Sequence, residues 1–196
     1  MNKSLRLIVV LTVTAALSGI ILAFLNIYTA PRIELNANKT LSEAVGYVLP
    51  EKQTCEVKVI GNVTFYIGKN ANGENVGVAF VAEGDGFQSR LRILVGMDPD
   101  MTKILKIKVL QQAETPGLGT KIENDPTNKT DALWFHKQFE NLPLANQITV
   151  VKGKAPDKDK SQIQAITGAT ISSKAMTDII NAAITTNRAL YLKKAK

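Results

Sequence analysis

The chain has 196 residues, room for one ordinary domain and a short appendage. Its net charge of +7 comes from scattered lysines with no basic face interleaved with aromatics, which argues against nucleic acid as a partner. Cys55 and His136 are the only residues of their kinds, so an internal disulfide is excluded, and a metal site or a histidine triad lacks its supporting ligands; no metal and no catalytic residue are expected.

Leu7 to Leu25 contains no charged residue, and a helix needs roughly 20 apolar residues to cross a bilayer core. A transmembrane helix is predicted over residues 7–28, and its apolar run is longer than a cleaved signal peptide needs. Lys3 and Arg6 before the span nearly balance Arg32 and Lys39 after it, and the free amino terminus tips the bias inward. The expectation is a single-pass protein of the inner membrane: residues 1–6 cytoplasmic, 29–39 a proline-containing linker, and 40–196 an extracytoplasmic domain, with membrane lipid as a partner of the helix.

Thr40 to Pro50 reads as a brief helix stopped by Pro50. Cys55 to Ile60 alternates as a half-buried strand, which places Cys55 half-buried. Val63–Ile67 and Val76–Ala82 flank Asn72-Gly73, a pair that favours positive backbone dihedrals, so a hairpin is predicted. Leu91, Ile93 and Val95, then Leu105, Ile107 and Val109, mark two further strands around the Asp98-Pro99-Asp100 turn. Ala132 to Glu140 is predicted helical, with Trp134, Phe135 and Phe139 inward, Thr130 or Asp131 as cap, and His136 on the surface. Met176, Ile179, Ile180, Ala183, Ile184 and Leu190 form the stripe of a C-terminal amphipathic helix. Consecutive strands with no βαβ alternation make the fold class α+β with antiparallel strands.

Two loops carry the chemistry. Thr167-Gly168-Ala169-Thr170, followed by Ile171-Ser172-Ser173, stands directly before the terminal helix. Helix-start amides lack intrahelical partners and bear partial positive charge, so a phosphate at Thr170 is stabilised there, with Lys174 as a further cation. The same hydroxyls also suit simple helix capping, and the tetrad alone favours that reading. Upstream, Glu114-Thr115-Pro116-Gly117-Leu118-Gly119 packs a carboxylate, a proline and two glycines into a stiff close-approach loop after a strand.

These two motifs in this order, behind a single N-terminal span and with Gly86-Phe87 and the Trp134 and Phe139 spacing between them, resemble the G subunit of the Rnf electron transport complex. The resemblance covers nearly the whole chain. It implies an FMN-binding domain in which Thr170 carries FMN through a phosphoester, attached by a separate flavin transferase that uses FAD. It also places the ETPGLG loop beside the flavin ring, so Glu114, Thr115, Gly117 and Leu118 are candidate contacts along with Thr167, Gly168 and Ala169. The implied role is an electron relay with no substrate chemistry of its own, in a ferredoxin:NAD oxidoreductase that moves sodium ions or protons. Implied partners are membrane flavin and iron–sulfur subunits. One position departs from the family pattern, which usually has an acidic residue where this chain has Gln164. The C subunit of the sodium-pumping NADH:quinone oxidoreductase shares the pattern in usually longer chains, and a flavin-free anchored scaffold is the alternative of a different class.

Overall fold

The computed structural model describes residues 2–194, which fall into two compact units divided between Ser42 and Glu43. Helix α1, Lys3–Val48, forms the first unit from Lys3 onward. Its apolar side chains point into surroundings with no protein cover: Ile20, Phe24 and Ile27 are 67%, 73% and 74% exposed. A helix of 46 residues rises about 70 Å, more than twice what a hydrocarbon core requires. The stretch 29–39, expected as a linker because of Pro31, is helical. Proline costs an interior helix about 3 kcal/mol, and the helix nevertheless continues through it.

The second unit is built on a six-stranded antiparallel sheet with strands in chain order. These are β1 (Thr54–Ile60), β2 (Val63–Lys69), β3 (Asn75–Asp85), β4 (Arg90–Met97), β5 (Lys103–Gln111) and the short β6 (Leu142–Pro143). Turn chemistry explains the order. Gly61 and Gly73 take φ values of +62° and +81° in the first two hairpins, where a side chain would be strained. In the turn between β4 and β5, the Asp98 carboxylate accepts from the Thr102 and Lys103 amides.

Alternate residues of the sheet, among them Phe65, Val78, Phe80, Ile93 and Val95, meet Met176, Ile180 and Ile184 of the terminal helix α3 (Thr170–Lys194) in one core. Burying each such side chain contributes roughly 1.5–3 kcal/mol. On the opposite face the sheet turns glycine, because a Cβ at Gly96 would lie 2.7 Å from the Val48 carbonyl oxygen. That close approach seats Val45, Val48 and Leu49 over the strands. Two three-residue strands, β7 (Thr149–Val151) and β8 (Gln162–Gln164), pair in parallel between β6 and α3.

Three expectations are corrected. Strand β1 is not half-buried: only Ile60 is covered, Val57 and Val59 are 59% and 66% exposed, and Cys55 is exposed. The alternation is genuine, but β1 is the edge of the sheet and the covering layers leave its side chains open. The helix expected over 132–140 is a single turn, α2 (Trp134–Lys137), without a side-chain cap, although Asp131 accepts from the Leu133 amide. In so short a turn the chain bends with its contents, and His136 lies inside with Phe135 and Phe139, 2% exposed.

Neither ring nitrogen of His136 has a hydrogen-bond partner among the described residues. Burial pushes its pKa down to about 4, against a smaller opposing influence of the nearby Ile122 backbone. A histidine with a folded pKa below its unfolded value binds protons better unfolded. Its contribution is therefore fully present above the unfolded value near 6.5 and is lost as pH falls toward 4, amounting to about 3 kcal/mol. Depression of the Glu114 and Asp125 pKa values acts lower, below the ordinary 4.5 and 3.8 of these groups. Urea denaturation of the detergent-solubilised chain should thus show a stability loss between pH 6.5 and 4.5 that His136→Phe flattens.

Candidate functional site

The Thr167-Gly168-Ala169-Thr170 segment folds as a turn followed at once by α3. The Ala169 amide donates to the Ile166 carbonyl at 3.0 Å, and Gly168 has φ +81°, the third position of a type II turn. A side chain at Gly168 would also meet Leu118 Cδ2 at 3.1 Å, so the glycine brings the two loops into contact.

The hydroxyls behind the turn divide their work. Ser173 Oγ, fully buried, accepts from the Ile166 amide and donates to the Ala169 carbonyl, at 3.0 and 2.9 Å. Ser172 Oγ donates to Glu114 Oε2 at 2.7 Å. Thr170, half-buried, has no hydrogen-bond partner for its hydroxyl among the described residues. None of the three caps the helix start: the Thr170, Ile171 and Ser172 amides have no backbone acceptor among the described residues, and the first occupied amide is that of Ser173, bonded to Ala169. An unengaged hydroxyl thus stands beside unengaged donors at the positive end of a 25-residue helix.

Glu114 lies under this arrangement, 2% exposed. Its Oε1 accepts from the Gln88 and Ser89 amides at 3.0 Å each and from Ser89 Oγ at 3.3 Å. Burial raises its pKa, but the hydrogen bonds from Gln88, Ser172 and Ser89 together outweigh burial and hold the carboxyl below its ordinary value. Gly86 and Gly119 make the cradle: a Cβ on either would lie 2.6 and 2.8 Å from Glu114 atoms. One carboxylate therefore ties the 86–89 turn, the ETPGLG loop and the start of α3 together.

Between these elements opens a cavity of about 340 Å³. Thr115, Leu118, Gly168, Ala169 and Thr170, all singled out from the sequence, line it together. Thr167, Gly117, Glu114 and Lys174 do not. Thr167 and Lys174 are exposed, Gly117 shapes its loop with φ +72°, and Glu114 is engaged with protein donors. The wall also includes Phe87, Gly119, Lys152, Ile171 and Ser172. Phe87, Leu118 and Ile171 are 58%, 45% and 62% exposed, an apolar rim around a polar floor. Phe87 had a signal in the Gly86-Phe87 pair, whereas Lys152 had none: it follows β7, which the pairing Val151↔Gln164 carries to the site. Gln164 lies exposed on β8, its backbone bonded both ways to the Gln138 side-chain amide at 2.6 and 3.1 Å.

The chain matches the family model of the FMN-binding domain over residues 86–185. It is 29% identical over 187 residues to the G subunit of the ion-translocating oxidoreductase complex of Methanosarcina acetivorans, covering 91% of this chain and 92% of that one. Against the G subunit of the Na(+)-translocating ferredoxin:NAD(+) oxidoreductase complex of Acetobacterium woodii the identity is 31%, over 91% and 89% of the two chains. The crystal structure of Shewanella oneidensis NqrC superposes with a TM-score of 0.58 at 20% identity, over 68% of this chain and 62% of that one, a likeness of fold.

Proposed function

The chain belongs to the FMN-binding domain family and, within it, to the G subunits of Rnf-type ion-translocating oxidoreductases, and from that membership we propose that it carries FMN as a phosphoester on Thr170 Oγ1 and relays electrons through it. It is a flavoprotein and a redox subunit of an ion-translocating oxidoreductase. The observation that carries the site assignment is the free Thr170 hydroxyl beside unoccupied helix-start amides, under an apolar rim.

The residues present fit the cofactor. A phosphate diester retains one negative charge, which the Thr170, Ile171 and Ser172 amides and the helix dipole stabilise. Lys152 on the cavity wall adds a cation, whereas Lys174 stands outside the wall. Phe87, Leu118 and Ile171 offer apolar surface to a flat ring and lose water contact in doing so. Bound FMN supplies the electron acceptance and donation that no side chain here can. Glu114 holds the three walls at a fixed separation and spends both oxygens on protein donors.

A flavin transferase attaches the group during maturation, and the flavin and iron–sulfur subunits of the complex are the electron partners. The soluble unit lies outside the cytoplasm behind α1, whose bare apolar surface supports a lipid-embedded anchor. Protein made in a host with the transferase should stay yellow after acid precipitation, and a colourless pellet would favour the scaffold. Protease added to intact spheroplasts should digest the soluble unit, and complete protection would reverse the topology.

A further inference from the structure

We propose that the open edge of β1 is a self-pairing surface, to which a second copy of this chain adds antiparallel with Val57 on the two-fold axis. The β1–β2 hairpin closes with Ile60 opposite Val63 around Gly61 and Asn62. In a two-residue hairpin the closing pair is hydrogen-bonded and alternate pairs follow it, so Ile60, Lys58, Glu56 and Thr54 direct their backbone groups to β2. Cys55, Val57 and Val59 therefore aim their N–H and C=O groups at the edge, where no backbone partner meets them among the described residues.

Their side chains share one face and are exposed, Val57 by 59% and Val59 by 66%. A seven-residue edge strand with exposed valines is what isolated sheets avoid, because it invites another strand. The order of residues says which strand fits. A two-fold axis through Val57 sets Glu56 against Lys58 of the second copy and Lys58 against its Glu56. It also sets Cys55 against Val59 and Val57 against itself. The residues brought opposite by Val57, Cys55 and Val59 are the ones whose backbone groups face outward, so charge and hydrogen bonding agree in one register. An axis through Glu56 or Lys58 would oppose like charges, which destabilises a cross-strand pair. Glu56 already meets Lys69 at 2.6 Å with its side chain 51% exposed, leaving room for a second ammonium. Lys58 is exposed and has no ion pair among the described residues. Against an unrelated strand these charges disfavour pairing; against a second copy they select it. An edge this short buries less than the area of a standard stable interface, so the pairing is weak and depends on the copies sharing one membrane.

The test is oxidative cross-linking of the full-length chain in membranes, with copper phenanthroline as oxidant. Directly opposed residues of a hydrogen-bonded pair stand about 5.5 Å apart at Cα, within disulfide range. Val57→Cys in a Cys55→Ser background should give a disulfide dimer of this chain, and so should Val59→Cys beside the native Cys55. Native Cys55 alone should cross-link about tenfold less, since its counterpart lies roughly 13 Å along the strand. Lys58→Glu should suppress the Val57→Cys dimer, and adding Glu56→Lys should restore it. Cross-linking equal at all positions, a product containing a different protein, no dimer above native Cys55, or failure of the double reversal to restore the dimer would each overturn the proposal.

Discussion

Thr170→Ala should produce a chain that folds, reaches the membrane and carries no covalent flavin. The hydroxyl makes no hydrogen bond among the described residues, so its removal strands no partner there. The tight structure behind it rests on Ser173 and on the Ala169–Ile166 bond, which the substitution leaves in place. The cost in stability should therefore stay within about 1 kcal/mol, while the nucleophilic oxygen that a phosphoester requires is gone. Thr170→Ser keeps that oxygen and should keep flavin. In-gel flavin fluorescence compared with urea denaturation separates the two properties: loss of flavin with an unchanged unfolding midpoint is expected, and persistent flavin in the alanine variant would move the attachment elsewhere.

Glu114→Ala should have the larger effect on the fold. It deprives the Gln88 and Ser89 amides, Ser89 Oγ and Ser172 Oγ of one shared acceptor and leaves a hollow between Gly86 and Gly119. Hydrogen bonds to a charged group contribute about 1.5–3 kcal/mol each, and buried donors left bare add desolvation, so a loss of about 3 kcal/mol or more is expected. Because the same carboxylate fixes the turn bearing Phe87, the ETPGLG loop and the start of α3, flavin content should fall as well. Glu114→Gln should be mild: its carbonyl oxygen can replace Oε1, and its amide can donate to Ser172 Oγ, since a hydroxyl both gives and accepts. Equal damage by both substitutions would mean that charge, and not the acceptor geometry, sustains the site.

How far the chain could be read before its structure depended on whether the signal was local. The bare apolar helix, the hairpin at Asn72-Gly73 and the alternation of β4 and β5 follow from neighbouring residues, and they stand in the structure. Alternation cannot report whether a strand is central or at an edge, which is why β1 was expected to have a buried face. A 3.6-residue period extended over residues 132–140 sets His136 outside, but only one helical turn forms there. Pro31 is a local break signal, yet the helix runs through it.

The candidate site divides in the same way. Thr115, Leu118, Gly168, Ala169 and Thr170 sit in two contiguous motifs, and the structure gathers them around one cavity. Lys152 reaches that cavity only through the β7–β8 pairing, a long-range contact with no local mark. Glu114 was visible as a conspicuous carboxylate, but its partners at 88, 89 and 172 are distant in sequence, so whether it faced a ligand or the protein was undetermined until the loops were placed.

The covalent bond at the Thr170 hydroxyl is tested most directly by weighing the chain. Intact mass of the matured protein under denaturing conditions should exceed the amino-acid mass by one FMN less one water, with fragmentation locating the addition on Thr170. A matured chain whose mass is that of its amino acids alone, or an addition located on another residue, would contradict the account.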